Sequence, residues 1–451
     1  MGLYALWAPM QVAAGPITPL IFLAAMVMIL PTAISYALLN REAPSAAAAS
    51  AWVWKAVHPI AGFQAGLLMT TYFFIAALAQ PLMFALFFRD LLEQLHVHLP
   101  QSVTLTLGVL AAGAPVAWVC LRGAEASIKS TVWLMAIETL VVLALSSTIL
   151  VVKSSQPGAI NLAPFDPHWA ARGFVGFWTA MILGMLAFCG FDVVSTAAEE
   201  AHAPRELLPK AILLTVVGIA VFWALNAWVF TLATPDEQVR QYTQQGLTAV
   251  TPMAQAYWGI GSLMVILTAF TGLTAVTISS MQGTSRIVFA LARHGLLPKS
   301  LSRLTGPKRV PRNAVASALA AMIGLDLLSL YVFGNGLDGF TWWANALVFF
   351  ATLTFLSVNV ASTFYFWRCA RPRFRLFSHL LIPVAGVLAN AYLIYAAFFS
   401  ALWAGDWRTG KSVVVACLIV LAVQVLFVIY THFIKPERLM QGSPIGVDCD
   451  S

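Results

Sequence analysis

Charge is what this sequence has least of. Only 10% of its 451 residues are Asp, Glu, Lys or Arg, whereas a water-facing surface needs about 25%. That scarcity excludes a soluble globular protein, because 60% of the residues are apolar and too few charges remain to cover them. With a mean hydropathy of +0.84, most of the chain is expected to meet hydrocarbon. Cysteine is also sparse. The five (Cys120, Cys189, Cys369, Cys417 and Cys449) are odd in number and lack the paired spacing of a disulfide framework or a zinc site, so they fix no compartment. A basic leader is missing too, which argues against a cleavable secretory signal.

The charges that are present sit in short gaps between apolar runs. A net charge of +7 spread in this way is no basic stripe, so it points to membrane topology rather than to nucleic acid. A bilayer core about 30 Å thick takes roughly 20 apolar residues per helical span. Eleven such stretches follow residue 15: 16–39, 59–88, 103–121, 129–152, 173–199, 211–233, 258–282, 314–333, 342–367, 378–402 and 412–434. Runs such as LIFLAAMVMIL do not alternate as barrel strands would, and open-chain spans in lipid must be helices to satisfy their own backbone groups.

Taking the gaps alternately, 19 basic residues fall on one side and 6 on the other. The side rich in Lys and Arg is cytoplasmic by the positive-inside rule, which places the tail at 435–451 in the cytoplasm of a multi-pass cytoplasmic-membrane protein. The span at 16–39 then runs inward. Residues 1–14 are left outside with enough helix for only about 21 Å, half a span. Either the chain begins near mid-membrane, or a first half-helix lies upstream of Met1; the second is the expectation.

Three stretches carry a resemblance. FCGFDVVSTAAEEAHAPRELLPKA at 188–211 closely resembles the sixth helix and following loop of permeases in the amino acid, polyamine and organocation transporter superfamily. Gly190, Phe191, Asp192, Glu199, Glu200, Pro204, Arg205 and Pro209 fill the pattern. SRIVFALARHGLLPKSLSRL at 285–304 is similar to the loop after the family's eighth helix, with Arg286, Arg293, Gly295 and Pro298 in place. GLYALWAPMQVAAGP at 2–16 looks like the second half of the family's first helix, with Gly2 on the last glycine of a glycine-rich break. The resemblance implies an all-α membrane fold of two inverted five-helix repeats, 1–152 and 173–367, with two extra helices at 378–434. It counts about twelve helices, eleven full spans plus a partial first helix, and helices 1 and 6 are discontinuous at mid-membrane.

The residues themselves give a physical reason to look at 186–192. Leu186, Ala187, Phe188, Cys189 and Gly190 lie in the middle of a span, where a glycine lets a helix open. Opened ends offer free N–H groups to a carboxylate and free C=O groups to an ammonium. Gly190 also suits plain close packing of helices. Asp192 is an acid inside a span, so it faces a cavity or a partner, as a cap on the unwound segment or as a proton or amine contact. The expected substrate-binding set is Gly2, Leu186, Ala187, Phe188, Cys189, Gly190, Phe191 and Asp192.

Glu138 departs from the family, several of whose members carry a lysine there. It can titrate, help bind a cation, or stay a neutral hydrogen-bonded acid. Ser279 and Ser280 sit where related transporters present hydroxyls to the same ion position, although membrane serines commonly bond their own helix. No cofactor is expected; if transport is ion-coupled, H+ and Na+ are the candidate ions, and uniport, symport and antiport all stay open. Glu199, Glu200, Arg205, Arg286 and Arg293 form a cytoplasmic gate or act as orientation signals. Trp342 and Trp343 are interfacial anchors or gates, and Asp326 has no assigned role. The eight histidines form no ligand pair, so neither a metal site nor any cofactor is expected.

The expected function is secondary active transport of an amino acid or related amine or polyamine by alternating access, with lipid and the solute as partners and the oligomeric state open. A nutrient sensor or an inactive truncated permease is the alternative. A membrane-embedded enzyme would need His, Asp or Cys groups converging at one depth, and the sequence offers none.

Overall fold

The computed structural model describes residues 2–434 apart from 46, 123, 199–200, 246–247, 294–296, 306–309, 400–401 and 403–406. Fifteen α-helices lie in the described residues: α1 (Gly2–Ala14), α2 (Thr18–Glu42), α3 (Ala49–Ala56), α4 (Pro59–Gln94), α5 (Gln101–Cys120), α6 (Ala124–Ser154), α7 (Gly173–Phe188), α8 (Pro204–Ala233), α9 (Asp236–Gln244), α10 (Val250–Trp258), α11 (Leu263–Arg293), α12 (Arg312–Phe333), α13 (Gly336–Arg368), α14 (Ile382–Ile394) and α15 (Ser412–Ile434). Among the described residues, eleven helical segments are long and apolar enough to cross a membrane. The only β feature among the described residues is one bridge between Thr305 and Val310.

Several helices outrun the apolar stretches that announce them. α4 continues to Gln94, α8 starts at Pro204 and α11 continues to Arg293. Hydropathy sees only the part in lipid, while the backbone ladder carries on through polar sequence such as PRELLPK. Proline opens α8 at a position where its missing N–H costs nothing. Between α1 and α2 the chain turns at Gly15, whose φ is +75°; Pro16 follows, and a short 3-10 turn leads into Thr18.

Helices at corresponding places in the two expected halves lie on one another: α1 on α7, α2 on α8, α4 on α11 and α5 on α12. α4 is the hub of one group and packs on α3, α5, α11 and α13. α2 and α8 form the broadest contact of the other. α6 leans on α11 and α8, and α14 covers α13 and α2. The last helix, α15, is pinned to α4 by polar contacts in lipid. Gln64 Nε2 donates to Gln424 Oε1 at 3.2 Å, and Gln424 Nε2 donates to Thr71 Oγ1 at 2.6 Å.

Candidate functional site

α7 stops inside the apolar segment Val175–Ala197. Cys189 is extended (φ −62°, ψ 125°), Gly190 is left-handed at φ +111°, and the chain resumes as a 3-10 helix over Phe191–Ala197. The last carbonyls of a helix have no intrahelical donors. Cys189 serves two of them, its N–H donating to Leu186 O at 3.1 Å and its thiol to Met185 O at 3.5 Å. Beside the break the molecule is open. A Cβ placed on Gly190 would meet nothing within 4 Å, and Leu186, Ala187, Cys189 and Gly190 are only half-buried.

α1 packs on α7. Its C-terminal end lies against the start of α7, where a Cβ on Gly176 would come within 2.6 Å of Ala13 O, and Ala171 N–H donates to Ala14 O at 3.0 Å. From that crossing, Phe188 lies about 18 Å along α7 and Gly2 about 17 Å along α1, at 1.5 Å per residue. The first turn of α1 and the last turn of α7 are therefore about equally far from that crossing. Gly2 is helical, and no break occurs within α1 itself.

Asp192 lies just past the break and is fully buried. The Tyr72 hydroxyl of α4 donates to its Oδ2, which ties the segment past the break to α4, and Oδ1 has no hydrogen-bond partner among the described residues. Around it stands a closed aromatic cluster. The Tyr36 ring lies 5.4 Å from Trp52, 5.3 Å from Phe191 and 6.1 Å from Phe355, and Phe191 lies 5.4 Å from Phe355. Trp52 belongs to α3, which is fixed from two sides: Trp52 Nε1 donates to Ala43 O at 2.7 Å and Arg368 Nη1 to Ala56 O at 3.2 Å. Asn40 Nδ2 donates to Ser195 Oγ at 2.8 Å and ties α2 to the 3-10 segment. Tyr36, Trp52, Tyr72 and Phe355 carry no motif, and nothing in their spacing announces that four elements bring them to one carboxyl.

Toward the other end of α1 a polar chain links it to α8 and α9. Trp7 Nε1 donates to Thr231 Oγ1 at 3.2 Å, Thr231 Oγ1 to Gln11 Oε1 at 3.2 Å, and Gln11 Nε2 to Asp236 Oδ1 at 2.6 Å. Burial pushes the Asp236 carboxyl above its ordinary range, against the opposing effects of Gln11 and Arg240.

The remaining candidates are dispersed. Glu138 is buried at 5% exposure on a stretch of α6 where Trp133, Ile137 and Leu140 are exposed, so it faces the protein while they face outward. α6 packs on α11, which carries the buried Ser280 and the half-buried Ser279. Arg205 and Arg293 are exposed and Arg286 is half-buried; Glu199 and Glu200 lie outside the described residues. Trp343 Nε1 donates to Ser329 Oγ at 2.8 Å and Trp342 Nε1 to Ser412 Oγ at 3.1 Å, so both tryptophans join α13 to neighbouring helices.

Comparison with known proteins agrees with this architecture. A family model described as amino acid permease matches residues 1–429. The branched-chain amino acid permease BcaP of Bacillus subtilis is 25% identical over 365 residues, covering 77% of this chain and 76% of that protein. The low-affinity putrescine importer PlaP of Escherichia coli K12 is 24% identical over 385 residues, covering 82% of this chain and 78% of that one. The D-serine/D-alanine/glycine transporter of Escherichia coli K12 is 24% identical over 259 residues, 56% and 52% of the two chains.

Proposed function

The chain belongs to the amino acid permease family, and on that premise we propose that it carries an amino acid or related organic amine across a membrane, binding the solute beside Cys189 and Gly190. The observation that carries this reading is the interruption of α7 at mid-span next to open space. With Cys189 serving Met185 and Leu186, the carbonyls of Ala187 and Phe188 are left for a solute ammonium. The first turn of α1, headed by Gly2, supplies N–H groups for a carboxylate. Backbone groups hold both ends of a zwitterion without burying a full protein charge. A polyamine or other amine uses the carbonyl side alone.

Asp192 is read as holding the unwound segment to α4, since the Tyr72 hydroxyl donates to its Oδ2. Phe191 belongs to the aromatic cluster beneath the site rather than to the open space. With the Lys- and Arg-rich gaps in the cytoplasm, the Tyr36, Trp52, Phe191 and Phe355 cluster closes the cytoplasmic path in this conformation. Alternating access then requires α3 and the 3-10 segment to part. Glu138, Ser279 and Ser280 remain the coupling candidates for H+ or Na+.

The test is uptake of a labelled panel of amino acids and amines into proteoliposomes, together with alkylation of the half-buried Cys189. A transported solute is expected to slow alkylation of Cys189, while Cys120 and Cys417, both buried, stay unreactive throughout. If no member of the panel is taken up, the reading fails. If uptake occurs and Cys189 reacts at the same rate with and without solute, the site lies elsewhere.

A further inference from the structure

Asp326 has no part in the site above. It lies on the protein-facing side of α12 with no exposed surface, and neither carboxyl oxygen has a hydrogen-bond partner among the described residues. α12 packs against α4, α5, α11, α13 and the 3-10 turn Lys299–Ser302; Lys299 on that turn is exposed, and the charged groups of the helices are placed or engaged elsewhere. On α4, Tyr72 donates to Asp192, Asp90 accepts from Thr248, and Arg89 pairs with Glu93. On α13, Asp338 bonds Asn335 and Arg368 bonds Ala56 O. Arg286 and Arg293 belong to the last turns of α11, the end from which the chain returns into α12, and Asp326 is about 21 Å along α12 from its start. The 20 residues of α5 include no Asp, Glu, Lys or Arg. One turn further on, Ser329 is already committed to Leu325 O and to the Trp343 indole.

A carboxylate without donor or counter-charge is not sustained in such a place, whereas the neutral acid is. A metal cation is no substitute, because it would need several oxygen ligands and Asp326 brings one carboxyl. The proton is the one cation that a single carboxyl holds unaided. We propose that Asp326 is a proton-binding site of this protein, loaded in the conformation described and emptied when α12 shifts against α4 and α13 and admits water. Its protonation stands on the geometry of α12; its place in the cycle rests on the transport reading.

Two measurements on the reconstituted full chain test it. A hydrophobic carbodiimide adds to a protonated carboxyl and rearranges to an N-acylurea, which mass spectrometry locates on the Asp326 peptide; labelling is expected at neutral pH. Uptake is then followed against pH for the wild type, D326N and D326L. Wild-type uptake is expected to fall on the alkaline side by about tenfold per pH unit once the reloading step titrates. D326N, permanently neutral, is expected to lose that fall while keeping the acid-side rate, and D326L serves if D326N does not reach the membrane. Absence of label on Asp326, or superimposable pH profiles, overturns the proposal. Absence of any uptake in the wild type would instead defeat the transport reading, leaving the label to decide protonation.

Discussion

Gly190 and Gly176 are both required as glycines, for opposite reasons. At Gly176 the backbone of α1 is too near for any Cβ, whereas a Cβ on Gly190 would meet nothing within 4 Å and it is φ +111° that opposes a side chain. Gly190→Ala should therefore cost about 1–3 kcal/mol through backbone strain alone, read as a lower melting temperature in detergent, and it should reduce uptake by pulling the break toward helix. A variant that melts and transports like the wild type would show that the left-handed turn is dispensable. Asp236 yields a prediction in pH. Its folded carboxyl titrates above the unfolded one, so the folded state binds more proton in the window between them. Stability must then fall as pH rises from the ordinary carboxylate range through the raised value. Asp236→Asn retains an oxygen to accept from Gln11 and removes the titration, so its melting temperature should lose that slope. Equal slopes in the two proteins would mean that Asp236 is solvated in solution.

Among the elements, α10 depends most visibly on a residue from another helix. It is only nine residues long, too short to persist by itself. Asp90 of α4, buried at 2% exposure, holds its entry. The Thr248 N–H donates to Asp90 Oδ2 at 3.3 Å, the Thr248 hydroxyl donates to the same oxygen, and Thr251 Oγ1 lies 2.9 Å from that hydroxyl. Asp90→Ala would strand these buried donors at a cost of about 1–3 kcal/mol. The expected result is a lower melting temperature together with faster proteolysis between α9 and α10; an unchanged cleavage pattern would place the hold on α10 in its apolar contacts. α3 is a similar case, a short helix kept by Trp52, Arg368 and the Lys55 ammonium 5.6 Å from the Tyr365 ring. Short helices of this kind escape a search for apolar spans, and both cover the ends of the long ones.

For the molecule as a whole, orientation is the property that most needs a measurement. By the positive-inside rule, the division of 19 basic residues against 6 leads us to propose that the end of α15 and the aromatic cluster around Tyr36 face the cytoplasm. A reporter fused after residue 434 should be active if it requires the cytoplasm, and a second one inserted in the 155–171 connection should be active only outside. The opposite pattern would reverse the assignment of inner and outer gates while leaving the fold untouched.

The sequence by itself determined that the chain crosses a membrane and where most spans run, and each follows from a local cost, charge in lipid or an unpaired peptide group. The interruption at Gly190 was expected from the resemblance at 188–211, because a glycine in a membrane helix serves close packing equally well, and it was the structure that gave its left-handed angle. Span ends were less legible, because α4, α8 and α11 extend through polar sequence that hydropathy does not register. Tertiary structure alone decided which side of each helix meets which neighbour. Tyr72 reaches Asp192 across 120 residues and Gln11 reaches Asp236 across 225, and nothing local distinguishes those side chains from others in equally apolar spans. In lipid an apolar side chain gains little by facing inward rather than outward, so the helical period that marks a buried face in a soluble protein is faint here. Facing was settled by close packing and by the few polar groups that had to find one another.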